Sequence, residues 1–186
     1  MTNLEAITQL NLILGMERSD LEAIPAYPLP AGYTLHWYEP GDGAHWVAVQ
    51  RAAEKHLTIS DELFVYEYGD DATLLQKRLF FLRNAAGEFI ATTAAWFTNN
   101  DQASRQGLIH WVAIKPEYQG RGLSNCMMSI ACERMRQLGH DSACLTTSSA
   151  RIAAITLYLK FGFRPASLAR TGENFWQELT KSLKVT

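Results

Sequence analysis

The sequence predicts a single α/β domain built on a mixed, mostly antiparallel sheet flanked by helices. Three observations predict it. Apolar runs at residues 79–83, 89–97 and 108–114 are joined by short polar turns, a connection length that antiparallel neighbours require. A stripe of period 3.6 then carries Leu123, Met127, Ile130, Ala131, Met135 and Leu138, the mark of an amphipathic helix. After it a short apolar run at 143–147 and an apolar helical stretch at 152–161 continue the alternation of strand and helix. With 186 residues, 47 % of them hydrophobic and 19 % charged, the chain suits one core.

Taken in order, Leu4, Ile7, Leu10 and Leu14 recur at helical spacing, and Gly15, Pro25, Pro28 and Pro30 end that pattern. Residues 1–30 are therefore expected to be an N-terminal helix and a proline-rich connector, added to a main domain over 31–186. Tyr33 to Tyr38 reads as an aromatic-rich strand closed by Pro40 and Gly41, after which Asp42 or a neighbour caps a helix running to about Ala53. Residues 57–78 mix Asp61, Glu62, Glu67, Asp70 and Asp71 with Phe64, Tyr66 and Tyr68, and suggest a helix only from Asp71 to Lys77. Leu79–Arg83 and Phe89–Phe97 form a hairpin in which Gly87 supplies the positive φ of the turn. Gly139 closes the long helix, and Phe163 and Phe175 to Leu179 are expected to be closing strands.

Composition excludes several function classes. Seventeen Lys and Arg against nineteen Asp and Glu leave a net charge of −2, so there is no basic excess to attract nucleic acid. Cys126, Cys132 and Cys144 are odd in number and lack Cys-x-x-Cys spacing, which fits a reduced, cytoplasmic protein. Met1 to Met16 has no Lys or Arg to start a secretory signal, and no 18-residue apolar run suggests a membrane span.

The chemistry concentrates between the third apolar strand and the long helix, in Lys115-Pro116-Glu117-Tyr118-Gln119-Gly120-Arg121-Gly122-Leu123-Ser124. Two glycines allow a tight turn that leaves amides uncovered, and the helix starting there adds the positive end of its dipole. The helix has no acid before Glu133, although acids usually favour a first turn. An incoming pyrophosphate would fill that vacancy, with Arg121 beside it. A Gly-x-Gly turn by itself also serves geometry alone.

The neighbouring residues add to this. Gln119-Gly120-Arg121-Gly122-Leu123-Ser124 resembles the Gln/Arg-x-x-Gly-x-Gly/Ala signature of the GNAT superfamily of acyl-CoA-dependent N-acetyltransferases. Residues 151–163, which contain Ala-x-x-Leu-Tyr and end in Gly-Phe, resemble its second signature in the right order. Two departures stand out: Ser124 holds the usual Gly/Ala place, and Arg151 stands where Asn is common. Arg151 would pair with a phosphate instead.

The resemblance implies a GNAT-like sheet splayed between its fourth and fifth strands, with the pantetheine arm of acetyl-CoA inserted there as an added strand against the main chain of Val112, Ala113 and Ile114. Amides from Gln119 to Ser124 would hold the pyrophosphate. It implies acetyl transfer by direct attack of a primary amine of a small molecule or peptide, with acetyl-CoA as co-substrate and no metal. Direct attack leaves the enzyme to position groups and handle protons. An alkyl amine of pKa about 10.4 is neutral in only about one part in 2,500 at pH 7, a penalty of roughly 4–5 kcal/mol. His110, two residues before Val112 and on the same face by period two, is the candidate base, or else a histidine satisfied by its neighbours. Tyr158 matches the family's tyrosine, which implies the general acid for the leaving thiolate, a role compatible with packing on the sheet.

Other groupings carry less. Cys126 and Cys132 lie on different helix faces and, with His110 and His140, make no convincing metal set. Cys126 near a helix N-terminus could have a lowered pKa, but no orienting partner is evident. The acidic run from Asp61 to Asp71 reads first as a solvated loop, or as an attractor of a cationic amine if it borders the acceptor cleft. The competing function is a non-catalytic acyl-CoA-binding module; a nucleotide-binding protein is disfavoured by the absence of a P-loop and of a third fingerprint glycine. The N-terminal helix and the closing strands offer surfaces for a homodimer.

Overall fold

A computed structural model describes residues 8–9, 11–98, 101–166 and 176–179. Among them the strands are β1 (Ile13–Arg18), β2 (Thr34–Trp37), β3 (Leu79–Arg83), β4 (Phe89–Phe97), β5 (Gln106–Ile114), β6 (Ser142–Ser148) and β7 (Arg164–Pro165). The helices are α1 (Gly43–Ala53), α2 (Leu63–Tyr68), α3 (Ala72–Arg78), α4 (Leu123–Gln137) and α5 (Ile152–Lys160). One sheet runs in the order β2-β3-β4-β5-β6-β1-β7, parallel only between β5 and β6.

The sheet is buried on both faces, which is why its central strands read as apolar runs. In β3, Phe80 and Leu82 join a cluster with Met127, Ala131 and Met135 of α4, whereas Leu79 and Phe81 join Trp46, Phe64 and Tyr68 of α1 and α2. Each such side chain contributes about 1.5–3 kcal/mol on burial. The β3–β4 turn forms as expected: Gly87 has φ +79°, and Asn84 Oδ1 accepts from the amides of Ala86 and Glu88. Asp71 caps α3 through the amide of Leu74 at 3.0 Å. Asp42 precedes α1 but does not cap it with its side chain, because its Oδ2 is taken by His36 Nε2 and the Glu39 amide.

Three expectations need correction. Leu14 is not in a helix: Ile13–Arg18 pairs over its whole length with β6 and also with β7, and Leu14 and Met16 are fully buried by their period-two alternation. The same sheet thus includes residues from before position 31, and residues 1–7 and 10 of the expected helix lie outside the described ones. At the other end β7 spans only Arg164–Pro165, and residues 176–179 are helical with Leu179 buried in the larger cluster; Phe175 lies outside the described residues. Residues 63–68 form α2, with Phe64 and Tyr68 buried, so the acidic run is not simply a solvated loop.

Two irregularities of β5 shape the site. Its pairing with β6 covers only Gln106↔Ser142 to Leu108↔Cys144, and residues 109–114 and 145–148 run on past the last pair. Its register with β4 shifts between Thr92 and Ala94, opposite Trp111, whose φ of +51° is rare for a non-glycine residue.

Candidate functional site

A cavity of ≈ 760 Å³ lies between the end of β5 and α5. Its walls are the end of α1 with the residues just after it (Gln50 and Ala53 to His56), Val112, Ala113 and Ile114 of β5, the turn into α4, and α5 with its cap. Of the residues singled out in the sequence, Val112, Ala113, Ile114, Gln119, Gly120, Gly122, Leu123, Ser124, Arg151 and Tyr158 line it.

The turn is built as its glycines suggest. Gly120 and Gly122 have φ of +73° and +79°, where an L side chain is strained, and a Cβ at either would meet nothing within 4 Å. Gly122 is the N-cap of α4 without a side-chain cap, and the first turn has no acid, so the positive helix end stands open beside the cavity. Gln119 Nε2 donates to the carbonyl of Ile114 at 2.9 Å, tying the turn to the end of β5. Arg121 is exposed: it donates to the Glu117 carbonyl at 2.7 Å and lies over the Tyr118 ring at 5.1 Å, and among the described residues it is not part of the cavity lining.

At α5, Tyr158 is buried, and burial pushes its phenol up to about 12 while the charge of Arg151 pulls it down. A phenol held this high stays protonated at neutral pH and has an O–H to donate. Arg151 Nη2 donates to Glu54 Oε2 at 2.7 Å. Burial would raise the Glu54 carboxyl, but hydrogen bonds from the His56 amide, Arg151 and the Lys55 amide together lower it.

His110 is not on the face of Val112, and among the described residues it does not line the cavity. The extra residue at Trp111 breaks the period of two: Leu108 and Trp111 pack against the α1–α2 cluster, Ile109, Val112 and Ile114 with the opposite one. The imidazole meets Tyr68 edge-on at 5.3 Å, and its Nε2 lies 3.0 Å from Glu67 Oε2. The same oxygen accepts from Trp111 Nε1 at 2.9 Å, and the Trp111 carbonyl accepts from Gln50 Nε2 at 2.8 Å. These bonds hold the strained residue at a conformation costing about 1–3 kcal/mol. Hydrogen bonding from His110 lowers the Glu67 carboxyl against the opposing effect of burial, with Trp111 assisting. An ionised carboxylate can only accept, so Nε2 is the donor in this contact. Gln50 links this group to the cavity it lines.

Glu67, Glu54 and Gln50 were not candidates from sequence, since each acts through a partner distant in the chain; the only signal was the acidic run around Glu67. The cysteines behave as buried thiols: burial pushes Cys126 up to about 11 and Cys132 up to about 12, opposite to the lowering expected near a helix N-terminus. Among the described residues no group of three or more His, Cys, Asp or Glu gathers to hold a metal, and no helix is long and apolar enough to cross a membrane.

The chain is thus a mixed α/β sheet with one parallel pair, joined over three residues, beside an uncapped, glycine-turned helix start. Residues 46–163 match the acetyltransferase (GNAT) family, and the chain belongs to it. It is 31% identical over 138 residues to a mycothiol acetyltransferase of Streptomyces griseus, covering 73% of this chain and 44% of that protein. A mycothiol acetyltransferase of Sanguibacter keddieii is 29% identical over 172 residues, covering 86% and 52%. The chain spans about half the length of these curated relatives. Among solved structures, a GCN5-related N-acetyltransferase from Sphaerobacter thermophilus superposes with a TM-score of 0.66 at 20% identity, over 88% of this chain and 52% of that one. The ribosomal-protein-S18-alanine N-acetyltransferase of Escherichia coli gives 0.60 at 20% identity, over 73% and 79%. These likenesses establish the fold.

Proposed function

We propose that the protein transfers an acetyl group from acetyl-CoA to a primary amine of a small molecule or peptide. The observation that carries this reading is a single cavity with an open helix N-terminus on one wall and a buried, protonated phenol on another. The residues present fit the co-substrate: the amides of Gly120 to Ser124 suit its pyrophosphate, and the edge of Val112, Ala113 and Ile114 suits its amide-bearing arm. Acetyl-CoA supplies the thioester, whose C–S bond breaks as the C–N bond to the amine forms. His110, with Nε2–H held by Glu67, takes the amine's proton at Nδ1, through water if the amine lies beyond direct reach. Tyr158 gives its proton to the departing sulfur. Relatives named for mycothiol favour a small-molecule acceptor.

The test uses acetyl-CoA and any amine that is turned over. Tyr158→Phe and His110→Ala should each lower kcat by about 10²–10⁴-fold, the usual contribution of a positioned acid or base. Acetyl-CoA affinity should stay within about twofold, since neither change removes the phosphate turn. Unchanged kcat in both variants would refute these roles.

A further inference from the structure

The cavity carries a second positive feature that the phosphate turn does not use. Arg151 stands at the N-cap of α5, a helix with no side-chain cap and no acid in its first turn, and Ala150, Ala153 and Ala154 of that helix start line the cavity. Among the described residues the Arg151 guanidinium has one partner, Glu54, which it engages through Nη2 alone. Glu54 is itself fixed, because its Oε1 accepts from the amides of Lys55 at 2.8 Å and His56 at 2.7 Å. The carboxylate therefore acts as a strut from α1 that holds the guanidinium at the cavity wall, leaving donors of its planar fork for a second anion.

Two anions could come here: a phosphate of the cofactor or a carboxylate of the acceptor. Arg151 and Tyr158 lie seven positions apart on α5, two turns on one face of the helix, and both line the cavity, so the guanidinium shares a wall with the proposed acid. On the proposed reading the cofactor's phosphates belong at the α4 turn, on another wall of the cavity. We infer that Arg151, with the start of α5, binds a carboxylate carried by the amine acceptor, so that the substrate class is an amino acid or a similar amine bearing a carboxylate. This inference rests on the acetyl-transfer reading. A carboxylate there would gain charge-assisted hydrogen bonds and the positive helix end together. An amine without one would leave those donors facing apolar substrate.

The test compares matched acceptors on the wild-type protein: L-phenylalanine against phenethylamine, and L-leucine against isoamylamine. The carboxylate-bearing member should have the higher kcat/KM by about 10- to 100-fold, the range for one charged hydrogen-bonding site. Arg151→Gln should abolish that preference through KM, Arg151→Lys should restore part of it, and calorimetric affinity for acetyl-CoA should stay within about twofold in both. Acetylation of the decarboxylated amines at equal or higher efficiency overturns the inference and leaves the transfer reading intact. So does an Arg151→Gln variant that loses affinity for CoA but not for dephospho-CoA, which would assign the arginine to a cofactor phosphate. Failure to acetylate either amino acid while another amine is turned over likewise overturns the inference and leaves the transfer reading intact.

Discussion

Glu67 and His110 are separated by 43 positions, yet the imidazole's orientation depends on a single carboxylate oxygen shared with Trp111. Because the Glu67 carboxylate can only accept from Nε2, its loss should act on the proposed base without touching the cofactor turn. Glu67→Ala is expected to lower kcat by about 10-fold or more, the scale on which orienting partners of histidine act. Glu67→Gln, whose carbonyl oxygen can still accept Nε2–H, should recover part of the rate, and acetyl-CoA affinity should not move in either. Equal loss in both variants, or a loss confined to KM, would remove Glu67 from the account. At this scale the sequence is only partly informative. Gly120, Gly122 and Tyr158 are readable because their roles depend on local backbone or on a helix position. The pairs Glu67–His110 and Glu54–Arg151 are not, because they exist only after α1 and α2 pack against β5 and α5.

Elements with a strong internal period were legible: the β3–β4 hairpin from Asn84 to Gly87, and α4 from its apolar stripe and the missing acid in its first turn. Where two periods compete, tertiary pairing decides. Leu14 fits a helical stripe, but Leu14 and Met16 also alternate, and β6 offers a full strand of partners. The bulge at Trp111 was invisible for a related reason: alternation is assumed constant until a register is known. A further junction of elements makes a pH prediction. His140 lies just after α4, its Nδ1 2.6 Å from the Ser104 carbonyl beyond β4 and its Nε2 3.0 Å from Arg78 at the end of α3. Burial holds it below the ordinary imidazole value despite that carbonyl, and the charge of Arg78 adds to the lowering. It therefore stays neutral in the folded protein while the unfolded chain takes up a proton below about pH 6.5. The unfolded state then binds more protons, so stability falls as pH drops from that value to the lowered one. Denaturant midpoints at about pH 7.5 and 5.5 should show a larger acid loss in the wild type than in His140→Gln. Equal losses would mean that His140 does not contribute.

On the scale of the whole molecule, both faces of the sheet are packed and the parallel pair β5–β6 is joined only at one end. The fold thereby sets the open turn of α4, the edge of β5 and the buried phenol of α5 around one cavity. The general architecture was readable from the alternation of strands and helices; the strand that β6 pairs with was not, because it comes from the start of the chain. The central claim is that this cavity holds acetyl-CoA. Calorimetric titration of the purified protein with acetyl-CoA tests it most directly. The account predicts saturable one-to-one binding with a dissociation constant near the micromolar range, about −8 kcal/mol. No binding up to millimolar acetyl-CoA would contradict it.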